Sequence, residues 1–278
     1  MHFDTLTTVL LPAATALTLA LLVGARKLAQ RPPASVDNPA MLSVLGGEVL
    51  AACMIGGAAA AVGGANWPDR VIWAATTATL GAAAQLGAVG VSLRWFLGRD
   101  VAEELGKGNA AVGLAAAGYD IAVGRVVSSS LVGGDRGDLV PGLAFYGLGI
   151  TALLLLTSLL RALTPFDDAQ QLRSGNLAVA LAHAGMTLAV ALLVSHATAG
   201  TFDGWGVSLR AFTETIAFAA VLVPIRVGVV QAALLRQGWQ WRGGALDRLV
   251  GEQRHLGAAA LEAAALIGGA LAVRAVVG

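Results

Sequence analysis

Charge is what this 278-residue chain has least of: Asp, Glu, Lys and Arg make up only 13% of it, about half their share in an ordinary soluble domain. A water-exposed fold of this size needs polar residues to cover it. A mean hydropathy of +0.73 shows that they are missing. The net charge of +1 gives no sign of a nucleic-acid partner. A lone cysteine, Cys53, rules out an internal disulfide and a cysteine-built metal site. In so apolar a stretch it is expected as a small buried side chain. Catalytic motifs are missing too: there is no Gly-Lys-Ser/Thr phosphate loop, no Gly-x-Ser-x-Gly elbow and no histidine pair at metal-ligand spacing. His183 and His196 fall on one helix, and their separation along it of ~20 Å is too great to hold one haem between them. No cofactor, no metal and no enzymatic activity are expected. The first apolar stretch is preceded by His2 and Asp4 and followed by Arg26 and Lys27. That is the reverse of a cleavable signal peptide, and it fits a first membrane helix whose N-terminus lies outside.

Long apolar runs are abundant. A spanning helix needs ~20 mostly apolar residues. Eight stretches qualify, at approximately 5–26, 40–64, 70–96, 106–132, 139–162, 173–199, 209–235 and 251–277. Turn-forming breaks such as Arg31-Pro32-Pro33, Asn66-Trp67-Pro68-Asp69, Gly133-Gly134-Asp135 and Thr164-Pro165 separate them. The predicted fold class is all-α: a polytopic membrane protein of about eight transmembrane helices. The lipid bilayer is its first partner.

Orientation follows from the basic residues. The loops after the first, third, fifth and seventh spans, with adjoining helix ends, hold Arg26, Lys27, Arg31, Arg94, Arg99, Lys107, Arg161, Arg173, Arg236, Arg242, Arg248 and Arg254. The other loops hold Arg70, Arg136 and Arg210. This asymmetry predicts that the first set is cytoplasmic and both termini are outside. Trp67, Trp73 and Trp205 on one side and Trp95, Trp239 and Trp241 on the other fit two interfacial aromatic belts.

A phrase recurs at the cytoplasmic entry of each even-numbered span. It reads Leu172-Arg173-Ser174-Gly175-Asn176-Leu177 in the third repeat and Leu105-Gly106-Lys107-Gly108-Asn109-Ala110 in the second. Looser versions run Val44-Leu45-Gly46-Gly47-Glu48-Val49 and Leu249-Val250-Gly251-Glu252-Gln253-Arg254. The chain thus reads as four two-helix units in parallel internal repeats. Glu48, Asn109, Asn176 and Gln253 occupy the equivalent position. They read either as four helix caps or as a polar ring around a central axis, the mouth of a passage.

The phrase Phe166-Asp167-Asp168-Ala169-Gln170-Gln171-Leu172-Arg173-Ser174-Gly175-Asn176, followed by an Ala-rich helix, resembles the signature of the bacterial inner-membrane family called domain of unknown function 350. A typical member is a single four-helix unit, so the chain resembles two units in tandem, residues 1–137 and 138–278. The resemblance implies a bacterial cell inner membrane location. It also implies envelope-stress settings with neighbours such as ligases of the glutathionylspermidine synthase type, and hence a second reading as a scaffold for cytoplasmic partners. A homo-oligomer stays open.

Ionisable residues inside apolar spans are functional candidates, because placing charge in hydrocarbon costs at least ~2.5–3.5 kcal/mol. Asp120, His183, Arg226 and Glu262 fall at similar depth. They form the expected ion or solute site, with Arg226 pairing to Glu262 or Asp120 and His183 titrating beside them. The competing reading is a structural salt bridge. Arg125, Glu214, His196 and Arg274 lie nearer the outer face and are expected to snorkel. Small residues every fourth position, Ala52/Gly56/Ala60/Gly64 and Ala260/Ala264/Gly268/Ala272, are expected as packing seams. The even-numbered spans are expected to form a core wrapped by the odd-numbered ones. The functional expectation is a passage or carrier for a small ion or solute.

Overall fold

The structure is a computed structural model that describes residues 5–28, 37–62, 66–98, 100–131 and 139–277. Arg31-Pro32-Pro33, Gly64, Arg99, Gly133-Gly134-Asp135 and Arg136, with the side chains of Arg26 and Lys27, lie outside the described residues. All regular elements among the described residues are helical. In chain order they are α1 (Thr5–Leu28), α2 (Pro39–Ala61), α3 (Trp67–Leu97), α4 (Val101–Gly106), α5 (Ala110–Ser130), α6 (Leu139–Arg161), α7 (Asp168–Arg173), α8 (Leu177–Ala197), α9 (Trp205–Leu234), α10 (Ala245–Asp247, running into a π turn over Arg248–Glu252) and α11 (Leu256–Val277). Eight of these, all but the short α4, α7 and α10, are long and apolar enough to cross a membrane. Backbone polar groups have no water to bond in hydrocarbon, so a helix that satisfies its own is the natural solution.

The four even-numbered spans, α2, α5, α8 and α11, run in one direction and pack side by side as a row. Glycine sets the spacing. A Cβ on Gly113 or Gly47 of α5's contact with α2 would strike Ala40 or Ala117 backbone, and one on Gly118 would strike Ala184 of α8. One on Gly185 would strike Ala263 of α11. Backbones meet this closely because no hydrophobic effect separates helix from lipid, so contact area between the helices themselves carries the association.

The row has one covered face. Phe96 of α3 stacks on Tyr119 of α5, and Gly149 of α6 abuts Val126 of α5 and Val194 of α8. The odd-numbered spans therefore lie against this face as a second layer, with α1 beside α2 and α9 beside α8. The expected wrapped core is corrected to two layers, because parallel helices with glycine seams on opposite sides stack in a line and leave their remaining face open. Two smaller corrections follow. Cys53 is exposed. Ala260, Ala264, Gly268 and Ala272 are exposed as well, since α11 meets α8 through Ala259, Ala263 and Leu266. In α2 the seam holds: Gly56 meets Thr15 of α1, and Ala52 and Ala60 are buried.

Candidate functional site

Each repeat begins with a cap. Asn109 Oδ1 accepts from the backbone amides of Ala111 and Val112, and Asn176 Oδ1 accepts from Ala178 and Val179. This satisfies amides that a helix start leaves without partners. The amide nitrogens reach onward into the next repeat. Asn109 Nδ2 donates to the Leu172 and Arg173 carbonyls, and Asn176 Nδ2 to those of Val250 and Gly251. In the first repeat Asn38 does both jobs, accepting from Met41 and donating to the Leu105 carbonyl. In the fourth repeat His255 Nδ1 accepts from Ala258.

The expected equivalence of Glu48 and Gln253 with the asparagines is therefore corrected. Glu48 is buried in mid-α2, beside the Gly47 seam where Ala117 and Asp120 approach. Gln253 is exposed, and the cap falls two residues later at His255, after the π turn over Arg248–Glu252. The turn just before the cap confirms this register: Gly108 and Gly175 have positive φ, and Arg254 takes the same conformation at φ 53°. The four caps lie along a row, the first three each stapling its repeat to the next, so they enclose no central axis and form no ring.

The sequence-predicted layer separates into three places. Asp120 sits on the α2 side of α5, and its backbone carbonyl accepts from buried Gln85 at 2.8 Å. His183 belongs to a second cluster. Its Nε2 shares a 2.8 Å hydrogen bond with the Tyr119 hydroxyl, and its Nδ1 lies 3.6 Å from Asp168. Asp168 also accepts from Arg161 Nε at 2.6 Å, and the Arg161 guanidinium covers the Phe96 ring at 5.2 Å. Burial alone would raise the Asp168 carboxyl. The proton of His183 and the charge of Arg161 outweigh it and hold the group below its ordinary value. Arg226 and Glu262 form the third cluster, paired at 2.6 Å as the sequence led one to expect, with Asp247 as a second carboxylate on Arg226. Asp247 is itself tied by the Gly243 amide at 2.7 Å.

The second and third clusters are versions of one design. Asp168 stands eight residues before the Asn176 cap, and Asp247 eight before His255. His183 stands seven residues after its cap, and Glu262 seven after its own. Each carboxylate comes from the short helix at the capped end, and each partner lies about 10 Å into an even-numbered span. The cation arrives from the preceding odd-numbered span. Arg161 ends α6. Arg226 sits mid-α9, where Pro224 removes a backbone donor and the helix continues in π form. The second repeat has Val101 and Ala116 at the two equivalent positions, and both are buried apolar. The charged design thus belongs to the C-terminal half.

Hydropathy reading missed Tyr119, Arg161, Asp168 and Asp247 as site residues, because they fall in a helix that reads as plain core or in what reads as loop. The recurring acid eight residues before the cap was the signal available.

Among the described residues, no group of three or more His, Cys, Asp or Glu is placed to hold a metal ion. A cavity of about 120 Å³ lies at the uncapped end, between Ser129, Thr198, Gly200, Phe202 and Ser208.

The profile of the family described as Domain of Unknown Function (DUF350) matches residues 5–131 and again residues 137–277. The chain belongs to this family, in two tandem copies. No curated protein and no solved structure matches it.

Proposed function

We propose, taking as premise a tandem member of the Domain of Unknown Function (DUF350) family with eight apolar spans, that the protein is a carrier for a small ion, with the proton as the ion that its best-formed site suits. The observation that carries this reading is His183, wholly buried with one ring nitrogen facing Asp168 and the other bonded to Tyr119. An imidazole so placed takes up and gives back one proton, with Asp168 as the countercharge of the protonated form and the Tyr119 hydroxyl as its hydrogen-bond partner throughout. Asp168 and Arg161 set the field around it. Asp247 and Glu262 hold Arg226 between two carboxylates, which leaves that repeat a fixed lock in the equivalent place. Beyond Tyr119, Val123, Val190 and Val194 close the interior. The reading therefore takes the form of a carrier that must move, rather than an open channel. The excess of Lys and Arg supports placing the capped end in the cytoplasm of a bacterial inner membrane.

Proteoliposomes loaded with a pH-sensitive dye test the reading. Purified protein is expected to dissipate an imposed pH gradient, and His183→Gln to slow this about tenfold or more. If neither protons nor small cations move, and His183→Gln and Glu262→Gln alter only the melting temperature, the carrier reading fails.

A second reading, a scaffold that recruits soluble partners in envelope stress, draws on one loop. Gln231 Nε2 donates to the carbonyls of Gly238 and Gln240, which orders the loop and presents Trp239, Trp241 and Arg242 as an exposed basic aromatic surface. Capture of a cytoplasmic protein that is lost in Arg242→Ala/Arg248→Ala, with no ion flux, would favour it.

A further inference from the structure

We propose that the open face of the even-numbered row binds an anionic phospholipid, its phosphate held by Arg125, His196 and Arg274. The three residues stand on adjacent parallel helices, α5, α8 and α11, at the uncapped end of each. At 1.5 Å per residue they fall within ~8 Å of the helix ends, the height of a lipid headgroup. All three side chains are half-buried. Arg125 and Arg274 lie close enough that their charges repel each other, and the His196 imidazole lies within reach of both. None of the described carboxylates pairs with any of them: the nearest acidic residue in sequence on α9, Glu214, is taken by Arg210 at 2.7 Å. Buried Arg226 and half-buried Arg161, by contrast, both have carboxylate partners. Among the described residues no carboxylate supplies the countercharge of this cluster, and an anionic headgroup would.

The face beneath these side chains is apolar, and none of the described helices covers it. On α5, Gly124 meets Ala51 of α2 and Gly118 meets Ala184 of α8, while Tyr119 and Val126 point to the odd-numbered layer. Helical spacing then leaves Ile121 and Arg125 on the side turned away from that layer. By the same count Leu192 shares this side with His196 on α8, and Ile267 shares it with Arg274 on α11. A headgroup held by Arg125, Arg274 and the His196 imidazole therefore has its acyl chains lying on Ile121, Leu192 and Ile267, all half-buried. A free anion would use the charges and leave this face bare. A lipid uses both. The inference does not depend on the carrier reading.

The test is a lipid titration of the full chain purified in detergent, read by native mass spectrometry. Phosphatidylglycerol is expected to bind as one retained molecule per chain, and phosphatidylcholine to bind far more weakly. Arg125→Gln/Arg274→Gln is expected to weaken phosphatidylglycerol about thirtyfold, as loss of two interfacial charges predicts. Arg125→Lys/Arg274→Lys is expected to retain most of the affinity, which separates loss of charge from loss of fold, and a melting curve of each variant checks the fold directly. Arg210→Gln, an exposed charge at the same end, is expected to leave binding unchanged. Equal binding of the two lipids, or equal affinity in the glutamine variant, would overturn the proposal. So would displacement by millimolar inorganic phosphate, which would mark a plain anion site, or lipid-independent dimers that block the titration, which would mark this face as a seat for a second copy.

Discussion

At the scale of single residues, the chain concentrates its strongest interactions on very few atoms. Asp168 faces both Arg161 and His183 inside the fold, so replacing it leaves a largely buried arginine without its countercharge. Asp168→Asn is expected to cost about 3–5 kcal/mol, read as a lower melting temperature in detergent. The pH dependence has a definite sign. The Asp168 carboxyl is held below its ordinary value in the folded protein. Its contribution is therefore present in full above the unfolded value near pH ~3.9 and is lost as pH falls through the lower folded value. Melting temperature is expected to drop on acidification below about pH 4 in the native chain, and Asp168→Asn to lose that part of the response. A steeper acid response in the variant than in the native chain would contradict this assignment.

At the scale of elements, the caps and the glycine seams do the joining. Asn176 serves two repeats at once, as acceptor for α8's first amides and donor to the carbonyls before α11. Asn176→Asp keeps the acceptor but turns a carboxylate toward those carbonyls. It is expected to destabilise as much as Asn176→Ala or more, by about 1–3 kcal/mol, whereas an ordinary solvent-exposed cap would tolerate Asp. Thermal unfolding of the two variants decides it. The seams predict opposite outcomes for one substitution type. Gly185→Ala drives a methyl into Ala263 and is expected to lower stability. Gly268→Ala meets open space on an exposed face of α11 and is expected to raise stability by up to about 1 kcal/mol through helix propensity. Much of this level was legible beforehand. Gly175-Asn176 and Gly108-Asn109 announced their caps by residue type, since glycine suits positive φ and asparagine suits a cap. Asn38 and His255 did not, because their surroundings diverge from that phrase and a π turn shifts the fourth repeat.

At the scale of the whole molecule, the two family copies meet through α5 and α8, the inner pair of the row. Helices that pack this closely are expected to find each other without a covalent link. Co-expressed as separate polypeptides divided between the two copies, the halves are expected to copurify in mild detergent. Gly118→Leu, which would press against Ala184 across the junction, is expected to abolish this; copurification that survives it would mean that the halves join elsewhere. The sequence by itself determined the membrane class, the eight spans and the tandem repeat, and offered the two asparagine caps as one of two readings, because hydrophobic length and local turn chemistry are written in consecutive residues. It also placed Arg226 and Glu262 at one depth, since rise per residue is fixed in a helix. Only the tertiary structure decided which depth-matched charges meet. It put His183 with Asp168 and Tyr119, left Asp120 beside the α2 seam, and turned an expected ring into a row. The physical reason is rotational: depth follows from counting residues, but the side of a helix that faces a partner is set by which glycines let which backbones approach, and that is a property of pairs of helices.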